Sequence, residues 1–179
     1  GRDYHTVDMS ERSLYEWYLP VYKAAVDAGV ASVMTSFNEI AGFPSTSNKW
    51  LLTDLLRRDW KFKGFVVTDY GSINELIPHG VAATQEDAAE LSINAGVDMD
   101  MQGSAFLNSL PALAESKRVS QETINNAVRR ILEAKYKLGL FDDPYKYCDK
   151  QREVQDIMRP GFLAFAREVA AKSCVLLKN

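Results

Sequence analysis

Leu55-Leu56-Arg57-Arg58-Asp59-Trp60-Lys61-Phe62-Lys63-Gly64-Phe65-Val66-Val67-Thr68-Asp69-Tyr70-Gly71-Ser72 is the stretch in which a helical pattern gives way to a strand pattern. Just before it, Leu51 and Leu52 join Leu55 and Leu56 in an apolar stripe at helical spacing, with Ser47 or Asn48 as cap. Residues 47–60 therefore read as a helix. The polar turn at residues 61–64 ends it, and Phe65-Val66-Val67-Thr68 follows as a continuous apolar run. A run without polar alternation is the signature of a short strand buried on both faces, as in a parallel sheet. Asp69 stands directly at its C-terminal end.

Working outward, the same alternation repeats. Residues 10–28 read as a helix capped by Ser10 and closed by Gly29, with Pro20 kinking or splitting it. Residues 30–37 read as a buried strand. Downstream, a helix over 84–95 has Thr84 as cap and Gly96 as terminator, and a third strand follows over 97–101. Helices are predicted over 104–116 and 120–138, the second closed by Gly139. Residues 141–160 carry many Asp, Tyr, Lys and Pro residues and read as a linker. A helix over 161–172 and a strand over 173–177 complete the chain.

Strands that alternate with helices imply a parallel sheet of βαβ units. Three units ending near residue 138 do not close an eight-stranded barrel, which takes about 250 residues. The reading is therefore α/β. Residues 1–140 form the C-terminal half of a (β/α)8 TIM barrel, 141–160 a linker, and 161–179 the start of a second α/β sandwich domain. A small complete three-layer α/β sandwich fits the same pattern.

Composition narrows the function classes. The chain has 179 residues, 46% of them hydrophobic and 25% charged, with a formal net charge of −3. That balance fits a globular domain and lacks the basic excess of a nucleic-acid binder. No apolar run reaches the ~20 residues of a membrane-spanning helix. Two cysteines, Cys148 and Cys174, are too few for a cysteine-based zinc site, and whether they pair stays open. The two histidines, His5 and His79, lack the spacing of a helical metal motif, so a histidine-based metal site has no support. The first residues, Gly1-Arg2-Asp3-Tyr4, contain neither Met nor a signal peptide, and both ends read as cuts within a longer protein.

In parallel α/β folds, functional groups gather at the C-terminal ends of the strands. That rule selects residues 36–39, 68–71 and 98–102. Asp69 has two readings from the residues alone: a functional carboxylate, or the N-cap of a helix starting near Ser72. Strand alternation puts Asp98 and Asp100 on one face, where ion-paired structural residues are expected. Glu39 and Glu75 read as loop residues, and Met34 as core.

The quoted stretch also resembles the active-site signature of glycoside hydrolase family 3: Leu-Leu-Arg, a variable segment, Gly, three apolar residues, Ser or Thr, then Asp. Further blocks agree: Val33 to Asn38 with Gly42 and Pro44, Asn48 to Leu52, Ala95 to Met99, and Lys135 to Phe141. Residues 171–179 resemble the beginning of that family's second domain. The resemblance spans the chain and is nearest to the periplasmic bacterial β-glucosidase branch. It implies a retaining β-glycosidase that acts on terminal β-D-glucosyl residues, needs no cofactor, and takes a β-linked oligosaccharide or glucoside. The parent protein would be periplasmic or secreted.

By the same resemblance, Asp69 is the nucleophile, Arg2 holds a sugar hydroxyl, Tyr70 forms an aromatic wall, and Phe37 stands where many members have tyrosine. Phenylalanine cannot donate the hydrogen bond that tyrosine could. A solvated Arg2, a core Phe37 and a Tyr70 that packs in a lid are the plainer readings. The family's Lys-His pair lies upstream of Gly1, and its acid/base glutamate comes from the second domain, downstream of Asn179. The isolated chain is therefore expected to be nearly inactive and to self-associate through open sheet edges. A non-catalytic half-barrel that binds sugar or a partner, and a β-N-acetylglucosaminidase of the same family, are the alternatives.

Overall fold

The computed structural model describes residues 4–178. The chain divides into two compact units, Gly1–Leu138 and Gly139–Asn179.

The first unit opens with one continuous helical run. Ser10 accepts the amide of Ser13 at 3.1 Å and caps α1 (Glu11–Ser13). A π-helical turn, Leu14–Tyr18, leads into α2 (Leu19–Asp27). Pro20 does not split this run. It occupies the first turn of α2, directly after the π turn, whose wider winding accommodates the missing amide and the ring. Gly29, at φ +88°, ends the helix as expected.

The sheet is parallel where it forms. β1 (Ser32–Met34) pairs with β4 (Phe65–Val67), with Val33 opposite Val66. Between them lies a hairpin that the sequence pattern did not indicate: β2 (Glu39–Ile40) and β3 (Phe43–Pro44). Ala41 and Gly42 both have positive φ, as a tight two-residue hairpin requires. A 3-10 turn (Ser45–Ser47) and a π-helix (Trp50–Asp59) then lead to β4.

Two predicted strands are shorter than expected. Residues 30–37 yield only three strand residues. Residues 97–101 yield a single parallel bridge, Val67 to Met99. The ladder breaks there because the amides of Asp98 and Met99 both donate to the Val66 carbonyl, at 2.9 and 3.0 Å. The amide of Met101 then takes the Thr68 side chain at 2.9 Å instead of a backbone carbonyl.

α3 (Gln85–Ala95), α4 (Ala105–Glu115) and α5 (Gln121–Lys137) complete this unit. Thr84 and Ser120 cap α3 and α5 from their side chains, and Gly96, at φ +116°, closes α3. One apolar cluster joins the π-helix to the sheet through Leu52, Leu56, Phe62, Val66 and Val97. A second gathers Ile73 and Leu76 against α3 and α4. Met34, expected in the core, is 49% exposed. Among the described residues, β4 is the sole strand partner of β1, so the other edge of β1 is unpaired.

Asp98 meets its expectation as an ion-paired residue. Its Oδ1 accepts Arg130 at 2.7 Å, and its Oδ2 accepts Arg57 and the Val66 amide. Arg57 also donates to the carbonyls of Gly64 and Gly96, both at 3.1 Å. Asp100 does something else: its Oδ2 accepts the Ala105 amide at 2.7 Å and caps α4. Ser104 cannot serve as that cap, since its left-handed backbone makes no side-chain bond to the helix.

The second unit holds α6 (Lys150–Asp156), capped by Asp149, and α7 (Pro160–Lys172). The stretch read as a linker thus contains a helix of its own. The strand expected over 173–177 does not form, because the described residues of this unit contain no other strand to pair with it. Cys148 and Cys174 are both free and exposed. Among the described residues, no helix is long and apolar enough to cross a membrane.

Candidate active site

Asp69 occupies a turn that the neighbouring segment locks in place. On its N-terminal side, the Thr68 amide donates to the Met99 carbonyl at 2.9 Å and the Thr68 hydroxyl accepts the Met101 amide. On its C-terminal side, the Gly71 amide donates to the Met101 carbonyl at 2.8 Å. Gly71 has φ +69°, a conformation that favours glycine and turns the chain sharply after the strand. The Asp69 carbonyl accepts Ser72, and that of Gly71 accepts Asn74.

The Asp69 carboxylate is half-buried. Its Oδ1 accepts the Tyr70 amide at 2.7 Å. That bond is to the next residue, whereas a cap bonds two or three residues on, so the N-cap reading does not describe this geometry. Among the described residues, Oδ2 has no hydrogen-bond partner. A carboxylate fixed through one oxygen and open at the other can attack an electrophile or accept a ligand hydroxyl.

Three buried hydroxyls stand behind this turn. Thr35, at the end of β1, bonds Thr46 at 2.9 Å, and Thr46 bonds Ser72 at 2.5 Å. All three are at most 4% exposed. They stitch the end of β1, the 3-10 turn and the residues after Asp69 into one rim. Ser36 extends the rim by donating to Ser45 at 2.9 Å. Nothing in the sequence pattern pointed to this chain, although the polar run Ser45-Thr46-Ser47-Asn48 was visible.

The other expected residues fall as follows. Phe37 is half-buried and stacks at 4.5 Å against Tyr4, an aromatic that the sequence reading did not single out. Tyr70 is 64% exposed beside Asp69. Arg2 lies outside the described residues.

Glu39 is no bare loop residue. It belongs to β2, and its Oε2 accepts the Thr6 hydroxyl at 2.7 Å, while its Oε1 lies 2.7 Å from His79 Nδ1. The hydrogen bonds from Thr6 and His79 hold its carboxyl below the usual range. Glu75 lies in the short turn Asn74–Leu76, where its carbonyl accepts the His79 amide. Among the described residues, no three His, Cys, Asp or Glu side chains gather as a metal site would require.

An open-ended carboxylate just past a strand's C-terminal end stands where parallel α/β enzymes carry their functional groups. The chain belongs to glycosyl hydrolase family 3, whose N-terminal domain it matches over residues 1–134. It is 46% identical to the periplasmic β-glucosidase of Salmonella typhimurium, over 100% of this chain and 24% of that protein. It is 40% identical to a β-xylosidase of Formosa agariphila, over 96% of this chain and 25% of that protein. The β-glucosidase of Listeria innocua superposes with a TM-score of 0.90 at 41% identity, over 99% of this chain and 24% of its own. The chain thus spans about a quarter of the length of these relatives.

Proposed function

We propose that this chain is the nucleophile-bearing part of a retaining β-glycosidase that hydrolyses terminal β-D-glucosyl residues. The observation that carries this reading is Asp69, placed at the C-terminal end of β4 with one oxygen tied to Tyr70 and the other open. The family and the β-glucosidases among its relatives support it.

The proposed chemistry is that of a retaining glycosidase. An ionised Asp69 attacks the anomeric carbon, and the glycosidic C–O bond breaks as the new ester bond forms. The leaving oxygen takes its proton from an acid that this chain does not supply. Water, giving its proton to the conjugate base of that acid, then attacks the anomeric carbon, breaks the ester and returns Asp69 as carboxylate, so two inversions retain the configuration. Retaining sites hold their two carboxyl groups about 5–5.5 Å apart. Arg2, Phe37 and Tyr70 are the proposed sugar contacts, with Phe37 acting by packing alone.

On this reading residues 1–140 are the C-terminal half of a (β/α)8 barrel, 141–160 a linker, and 161–179 the start of a second α/β domain. The parent protein is periplasmic or secreted. The chain alone turns over little substrate, since absence of a positioned acid costs on the order of 10²–10⁴-fold. β-Xylosides are a second substrate class, favoured by the similarity to a β-xylosidase.

The test is intact-protein mass spectrometry after incubation with a 2-deoxy-2-fluoro-β-glucoside bearing a good leaving group. Its leaving group departs without acid help. The expected result is a gain of one fluoroglucosyl unit, mapped to Asp69 and lost in Asp69→Asn. A label on another carboxylate, or one that persists in Asp69→Asn, overturns the assignment. The matching fluoroxyloside, run in parallel, separates the two substrate classes by labelling rate.

A further inference from the structure

Glu39 joins three segments that are far apart in sequence. Through its backbone it belongs to the hairpin that follows Phe37, and its carbonyl accepts the Val7 amide at 2.9 Å. Through Oε2 it holds Thr6, and through Oε1 it faces His79. His79 closes the short helical stretch that begins at Gly71, two residues after Asp69: its amide donates to the Glu75 carbonyl at 3.1 Å, and that of Glu75 to Gly71. The side chains of Glu39 and His79 are 16% and 11% exposed, so solvent only partly competes for the contact.

Both Glu39 oxygens are acceptors at neutral pH, where its carboxyl, held below the usual range by the bonds from Thr6 and His79, is ionised. His79 must therefore carry its proton on Nδ1 and donate it. A half-buried carboxylate is retained at a cost in solvation, and here it receives two side-chain bonds that bring together residues 6, 39 and 79. The same three segments carry Tyr4, Phe37 and the turn of Asp69.

We infer that Glu39 and His79 are positioning residues for the Asp69 site: together they latch the segment that follows Asp69 to the N-terminal segment and to the hairpin, and so fix the Tyr4–Phe37 pair relative to the carboxylate. This rests on the reading of Asp69 as the functional carboxylate, but it is tested separately.

The measurement is peptide-resolved hydrogen–deuterium exchange on the full chain, for the wild type, Glu39→Ala, Glu39→Gln and His79→Ala. Loss of the charge-assisted bonds predicts about tenfold faster exchange in Glu39→Ala, over both residues 4–9 and 69–81. Residues 121–137 of α5 serve as the internal reference and stay unchanged. His79→Ala speeds residues 4–9 although no hydrogen bond joins it to them. Glu39→Gln, which keeps one carbonyl acceptor, restores most of the protection.

Unchanged exchange over 69–81 in Glu39→Ala overturns the inference. So does a uniform rise that includes α5, which marks a general structural role. Fluoroglucoside labelling of the same samples reports on the other reading: failure to label wild-type Asp69 sinks the nucleophile assignment, while the exchange pattern still decides the latch.

Discussion

Asp69 keeps its backbone and one oxygen in fixed bonds, so its isosteric amide should fit the same turn. Asp69→Asn is expected to abolish formation of the glycosyl-enzyme, a loss on the order of 10⁴-fold or more, with the melting temperature unchanged. Mass spectrometry and thermal unfolding check the two halves of that statement. Gly64 has a different kind of constraint. A Cβ there would lie 2.1 Å from the Ala31 carbonyl oxygen, which the backbone cannot yield easily. Gly64→Ala should cost about 1–3 kcal/mol in urea unfolding through overpacking between the two strands. Asp98 has a side chain 1% exposed, with two arginines on its carboxylate. Asp98→Asn strips their counter-charge and should cost about 3–5 kcal/mol in the same experiment. Glu39 has a carboxyl lowered in the folded state, so the latch is at full strength above the unfolded value of about 4.5 and fades as pH falls through the folded one.

Helix ends were the features most open to reading in advance. Ser10, Thr84 and Ser120 each stand where a polar cap precedes an apolar pattern, and each accepts the amide three residues on. These bonds are local, so three or four residues of sequence contain all the partners. The helix α4 shows where that reading stops. Ser104 has the right residue type and position, yet Asp100 makes the bond, because the chain turns through left-handed conformations at Gln102 and Ser104. Asp100→Ala is therefore expected to lower stability by about 1 kcal/mol, and Ser104→Ala to leave it nearly unchanged. Equal effects of the two substitutions, by urea unfolding, would contradict that assignment. The strand over 97–101 failed for a related reason: its apolar alternation was sound, but side-chain and bifurcated bonds replaced the ladder.

At the scale of the whole molecule, the first unit leaves a cavity of about 700 Å³ beside β1 and the first helical run. Leu14, Tyr22, Val33, Met34 and Trp60 are among the side chains that line it. Trp17 and Tyr18 on the same run are 73% and 53% exposed. Contiguous apolar surface next to an unpaired strand edge favours association. The isolated chain is expected to self-associate as its concentration rises, with sedimentation velocity as the readout. Met34→Lys places a charge on the edge strand and should shift the distribution toward monomer. A chain that stays monomeric at every concentration would show that this surface is not sticky.

Sequence alone determined what depends on near neighbours: the succession of helix and parallel strand, the caps, and the carboxylate at the end of the Phe65–Val67 strand, together with the family signature around it. Periodicity and local hydrogen bonding encode those features within a window of a few residues. Only the tertiary structure decided the partners of that carboxylate's surroundings. The Thr35–Thr46–Ser72 hydroxyls, the two arginines on Asp98 and the bonds from Glu39 to Thr6 and His79 join residues 11 to 41 positions apart. Such pairs form when packing brings two segments together and then excludes water from the polar groups between them. That event is a property of the folded chain, and no stretch of sequence displays it.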